Sequence, residues 1–118
     1  MAQKDDCIFC KIARGDIPAE IIYEDDTVMA FPDINPATRV HVLIIPKEHY
    51  PTTMDVADEN PAIAGAMMKA AVAVAREKNI EKSGYRLIIN TNDDGGQEIY
   101  HVHMHLLGGE RVGPLRTR

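Results

Sequence analysis

The sequence predicts an α+β domain: about five antiparallel strands in one sheet, one long helix and a short N-terminal helix. Three observations predict it. Short runs rich in β-branched and aromatic residues flank one long stretch with helical periodicity, and strands, helix, strands is an α+β order. Hydrophobic residues are 45% and charged residues 26% of the chain, the balance of a folded globule rather than a disordered segment. A chain of 118 residues has the length of one domain. It buries roughly 65% of its unfolded surface, so a core can form without disulfide staples. No repeat, linker or low-complexity tract divides it, and residues 1–118 read as one unit.

The elements follow in order. Cys7 to Ala13 suits a short helix, stopped by Gly15. Ile17-Pro18 opens an extended stretch. Ile21 to Tyr23 and Thr27 to Phe31 are two short strands, with Glu24-Asp25-Asp26 as the polar turn between them. Asn35-Pro36 marks a turn. Val40 to Ile45 is a third strand, ended by Pro46. Asn60 then suits an N-cap and Pro61 a first helical position. Ile63, Met67, Ala71, Val74 and Ala75 recur at helical spacing, and the helix runs out near Asn79. Met67 and Met68 read as core filler. Tyr85 to Asn90 is a fourth strand, Thr91 to Gly96 a polar loop, and Tyr100 to Leu107 a fifth strand ended by Gly108-Gly109.

Charge and cysteine usage narrow the function. The net charge is −5 and no basic cluster is present, so the chain is a poor nucleic-acid binder. The longest apolar run, Ala62 to Met68, is far short of the roughly 20 residues of a membrane-spanning helix. The N-terminus lacks the apolar stretch of a signal peptide, which reads as a cytoplasmic protein without a membrane partner. In that compartment Cys7 and Cys10 read as metal-binding or redox residues rather than a permanent disulfide.

The chemistry concentrates in His101-Val102-His103-Met104-His105. On a strand, alternate side chains share a face, about 6.5 Å apart. His101, His103 and His105 then line one face, and Val102, Met104 and Leu106 the other. A lone strand histidine is usually just half-buried and hydrogen-bonded, but folding alone does not call for three in alternation. Two uses compete. Neutral imidazoles can hold a catalytic metal. Alternatively one imidazole attacks phosphorus and forms a covalent intermediate while its neighbours orient it. Gly95-Gly96, just before the strand, favours the second use, since glycine backbone can approach and cradle an anion.

Many segments together resemble the Hint branch of the histidine-triad (HIT) superfamily. They are Phe9 with Lys11-Ile12, Ile17-Pro18-Ala19, Tyr23-Glu24-Asp25-Asp26, Ala30-Phe31, Asp33-Ile34, Ile45-Pro46-Lys47 and the block from Gly95 to Gly109. The resemblance covers nearly the whole chain and implies a HIT-like fold. It also implies hydrolysis of nucleoside 5′-phosphoramidates, AMP joined to an amine, through a nucleotidyl-histidine intermediate. His103 matches the nucleophile, His105 the histidine that contacts phosphate, and His41 a fourth histidine that orients the nucleophile. Asn90, Gly96 and Gln97 match phosphate-side positions, and Asp33 the carboxylate that holds the ribose hydroxyls. Ile8, Phe9, Ile17, Phe31, Ile34 and Leu43 match an apolar base pocket. The resemblance further implies a homodimer whose sheets join, and catalysis that requires no cofactor.

Two departures stand out. Glu98 occupies a position where many Hint proteins have a serine donor; an ionised carboxylate cannot donate and repels phosphate. This bears on leaving-group preference, not on reaction class. The ending from Glu110 to Arg118 also diverges from eukaryotic relatives. Two other functions are dinucleoside polyphosphate hydrolysis, disfavoured by Gly-Gly-Gln-Glu at 95–98, and a nucleotide-binding interaction module. Finally, Cys7 and Cys10 have the spacing of a zinc half-site. His49 and His101 are the candidates to complete it, an arrangement similar to that of some HIT proteins. His101 would then serve a structural zinc while His103 does the chemistry.

Overall fold

The computed structural model describes residues 3–115. Among the described residues eight elements occur in the order α1 (Ile8–Arg14), β1 (Tyr23–Glu24), β2 (Val28–Pro32), β3 (Val40–Pro46), α2 (Thr53–Glu59), α3 (Ala62–Glu77), β4 (Tyr85–Ile89) and β5 (Met104–Gly108). The strands form one antiparallel sheet in the order β1-β2-β3-β5-β4, so the predicted α+β class and strand number hold.

The sheet has two differently used faces. Val28, Ala30, Val42, Ile44, Met104 and Leu106 point to one face, where α3 covers them with Ile63, Met67, Ala70, Ala71 and Val74. Met29, Phe31, Leu43 and Ile45 point to the other, packed under Cys7, Phe9 and Cys10 of the α1 region. Pairing of Leu43 with His105 puts the third histidine on that second face. The central strands β2 and β3 are largely apolar on both faces because both faces are covered there; only the α3 face is core alone.

Several boundaries differ from the sequence reading. β1 is Tyr23–Glu24 rather than Ile21 to Tyr23, and Ile21 is exposed. A short helix, α2, for which the sequence reading gives no element, fills the stretch between β3 and the long helix. Thr52 caps it through a reciprocal bond pattern with Asp55. Asn60 therefore closes α2 instead of capping α3, and its amide donates to the Tyr50 hydroxyl at 3.3 Å. Met67 is buried as expected, but Met68 is half-exposed.

The largest difference is at β5. It starts at Met104, not Tyr100, so only His105 of the triad is on a strand. The Val102 N–H bonds to the Tyr50 carbonyl at 2.7 Å, so residues 101–103 lie against the chain after β3. The alternation survives without the ladder: Val102 joins the α3 core, and the three histidines face α1.

Candidate functional site

Two clusters of histidines share the α1 face and meet at His101 and His103. β3 contributes His41 and β5 His105, whose rings lie across the sheet from one another. Asp33 follows β2 and continues its ladder, donating its N–H to the His41 carbonyl at 2.9 Å. Its side chain turns back on the same histidine: Oδ2 is 3.5 Å from His41 Nε2, and Oδ1 accepts the Asn35 N–H at 2.8 Å.

His103 has one ring nitrogen assigned by geometry. A carbonyl can only accept, so the 2.8 Å contact to the His101 carbonyl is a bond donated by His103 Nδ1–H. In the neutral ring Nε2 is then the bare nitrogen, with a lone pair for attack. The ring is 8% exposed, held edge-to-face against Phe9 and 5.0 Å from His105, centre to centre.

The fourth histidine is placed differently from the expectation. His41 Nε2 meets His105 Nδ1 at 2.9 Å, so His41 orients the third triad histidine, while the nucleophile candidate is oriented by the His101 carbonyl. The reason is registry: His41 sits diagonally across β3–β5 from His105, and His103 lies beyond the end of the ladder. Burial favours the neutral form of both rings. It lowers the His41 pKa, with Asp33 opposing, and it lowers that of His105 to about 4, helped by the neighbouring His103 and His41.

The second cluster joins α1 to the sheet end. Cys7 Sγ lies 3.3 Å and Cys10 Sγ 3.5 Å from His101 Nδ1, and Cys10 Sγ lies 3.4 Å from His49 Nδ1. His101 Nε2–H donates to the Pro46 carbonyl at 2.8 Å, which leaves Nδ1 bare and aimed at the sulfurs. The four candidate ligand atoms lie within 4.8 Å of one another, all on buried residues. Burial lowers the pKa of His49, lowers that of His101 to about 4, and raises that of the Cys10 thiol. Neutral imidazoles and buried sulfurs form a donor set suited to a soft divalent ion.

Of the expected nucleotide contacts, Phe31 and Leu43 are buried beneath α1, and Phe9 packs on Phe31, His101 and His103. Ile17 is half-buried and lines a groove with Ile12, Ala19 and Met29. Ile8 is half-exposed and Ile34, at 92% exposure, stands in solvent beside Asp33. Asn90 follows β4, half-buried. Gly96 has φ 78°, and a Cβ on Gly95 would strike the Thr91 main chain, so this loop needs both glycines. Gln97 is buried with its amide committed inward: Oε1 accepts the Asn92 N–H, and Nε2 donates to the Pro51 and Ile99 carbonyls at 2.7 and 3.0 Å. It shapes the loop rather than presenting an amide to a ligand. Glu98 is exposed. No sequence pattern points to Ala37, whose N–H bonds to His41 Nδ1 at 3.0 Å, because a main-chain donor leaves no mark on side-chain identity.

A five-stranded sheet with a histidine-rich face under a short N-terminal helix defines a histidine-triad class of protein. The HIT domain family model matches residues 14–112, and the chain belongs to this family. It is 50% identical over 111 residues to the purine nucleoside phosphoramidase of Escherichia coli K12, covering 94% of this chain and 93% of that protein. A histidine triad protein from Clostridium difficile superposes with a TM-score of 0.92 at 41% identity, covering 97% and 99% of the two chains. A HIT family hydrolase from Clostridium thermocellum superposes at 0.91 with 46% identity, covering 95% and 97%.

Proposed function

We propose that this protein hydrolyses purine nucleoside 5′-phosphoramidates, cleaving the P–N bond between AMP and an amine. The observation that carries the reading is the His103–His101 bond, which leaves Nε2 of a confined imidazole bare. Similarity to a phosphoramidase and to HIT family hydrolases supports the reaction class.

In the first step His103 Nε2 attacks phosphorus, an N–P bond to the histidine forms, and the P–N bond to the amine breaks as the amine takes a proton from solvent. In the second step water attacks the same phosphorus and returns a proton to solvent as the N–P bond to His103 breaks. AMP leaves and His103 regains its lone pair. His105 lies beside the phosphate in this reading, and Asp33 takes the ribose hydroxyls. The Gly95-Gly96 backbone and Asn90 lie on the phosphate side, and the exposed Glu98 meets a cationic amine leaving group.

Cys7, Cys10, His49 and His101 suit a structural zinc. A tetrahedral ion with ordinary zinc–nitrogen and zinc–sulfur lengths sets N···S edges of about 3.6 Å. The sulfur–nitrogen contacts of 3.3–3.5 Å are close to that. Zinc would cross-link α1 to the sheet and take no part in the chemistry. A homodimer formed through the outer edge of β4 fits the strand order and the partly exposed Ile89.

The test is turnover of adenosine 5′-phosphoramidate against diadenosine triphosphate, by wild type and by His103→Ala. Preference for the phosphoramidate, with a fall of about 10⁴-fold or more in the variant, is expected for a lost nucleophile. Equal background rates in both proteins would favour a binding module instead.

A further inference from the structure

We propose that the backbone amide of Ala37 is a positioning group that fixes His105 as a hydrogen-bond donor, acting through His41. The inference rests on the phosphoramidase reading for its chemical consequence, but not for its geometry. Three contacts carry it. The Ala37 N–H can only donate, so His41 Nδ1 accepts it, at 3.0 Å. A neutral His41 must then carry its proton on Nε2, the atom 2.9 Å from His105 Nδ1. His105 Nδ1 is therefore the acceptor, and the remaining proton of a neutral His105 lies on Nε2. Asp33 Oδ2, 3.5 Å from His41 Nε2, draws the same proton to the same atom.

The consequence is a division between neighbouring rings. A main-chain carbonyl makes His103 present a bare Nε2, and a main-chain amide, one histidine removed, makes His105 present Nε2–H. One ring offers a lone pair and the other a donor, 5.0 Å apart between centres. A donor beside the nucleophile can stabilise the charge that grows on the phosphoryl oxygens while its proton stays on the imidazole. The wrong tautomer would turn a lone pair toward those oxygens. The same bonds weigh against a rival use of Asp33, His41 and His105 as a metal site, despite donor atoms within 4.8 Å. A metal on His41 Nε2 would need its proton on Nδ1, facing the Ala37 N–H.

The experiment is a nitrogen-15 NMR reading of histidine tautomers in the free protein. Wild type should show His41 and His105 protonated at Nε2 and bare at Nδ1. A His105 protonated at Nδ1 would overturn the proposal. Replacing Ala37 by its α-hydroxy-acid analogue deletes only this N–H and puts an ester oxygen opposite His41 Nδ1. The Nε2 tautomers of both rings should then lose population, with Asp33 alone still favouring them, and kcat should fall by up to about tenfold at little-changed KM, the scale of one hydrogen bond. Ala37→Gly keeps the amide and should keep the wild-type spectrum. An ester variant with unchanged tautomers contradicts the proposal, and if that variant fails to fold, the wild-type spectrum alone decides. A protein with the expected tautomers but no phosphoramidate turnover would sink the proposed function and leave the tautomer assignment standing.

Discussion

At His105 burial, neighbouring charge and a hydrogen bond from His41 act on one ring, and they make a pH prediction. Its folded pKa lies near 4, below the ordinary histidine value of about 6.5. Between those values the unfolded chain binds a proton that the folded chain refuses. Stability should thus be full above about pH 6.5, fall as pH drops toward 4, and flatten below. One such group contributes a slope of up to about 1.4 kcal/mol per pH unit. Urea midpoints at pH 7.5 and 5 should therefore differ less in His105→Asn than in wild type. A prediction of packing sits at Phe9, 4% exposed and in contact with Phe31, His101 and His103. Phe9→Ala should cost about 3–5 kcal/mol, read by chemical denaturation, if the cavity does not collapse. At this scale the histidines that matter were legible, because three imidazoles in alternation have no other easy purpose. Their partners were not: the Ala37 amide and the His101 and Pro46 carbonyls are backbone groups, and any residue could supply them.

The elements show where local pattern stops and tertiary contact takes over. α1 and α3 were readable from Gly15 and from the spacing of Ile63, Met67, Ala71 and Val74. α2 was missed although Thr52 and Asp55 carry a capping pattern, since its single buried residue, Val56, gives no apolar stripe. Thr52→Ala removes the cap and should lower stability by about 1 kcal/mol, seen as a fall in Tm. β5 began later than expected because the Tyr50 carbonyl captures the Val102 N–H, a contact between residues far apart in sequence. His101 and His103 are thereby freed from the ladder. His103 can bond back to the carbonyl two residues earlier, which would be directed across the sheet if the strand continued.

Across the whole molecule, one sheet face carries the main core and the other carries the site. The alternation of Val102, Met104 and Leu106 with the histidines already implied that division. The meeting of Cys7 and Cys10 with residues 49 and 101, a closure over some forty and ninety residues, was legible only through the family resemblance, since no local pattern carries it. If zinc bridges this closure, it holds α1, and with it Phe9, over His103. Chelation should then lower Tm markedly, and Cys10→Ala should make Tm insensitive to chelator. Unchanged Tm on chelation of wild type, with no stoichiometric zinc in the purified protein, would contradict the site. The acidic balance of the chain also fits the proposed site: one phosphate held by backbone amides and imidazoles would need no basic surface.

The central claim is that His103 takes the nucleotide covalently. Rapid acid-free quenching of the enzyme with adenosine 5′-phosphoramidate, followed by intact-mass analysis and peptide mapping, reads it directly. The account predicts a single AMP adduct on His103 that disappears as substrate is exhausted and is absent in His103→Ala. Steady turnover by wild type with no adduct at the shortest quench times, or an adduct on another residue, would contradict it.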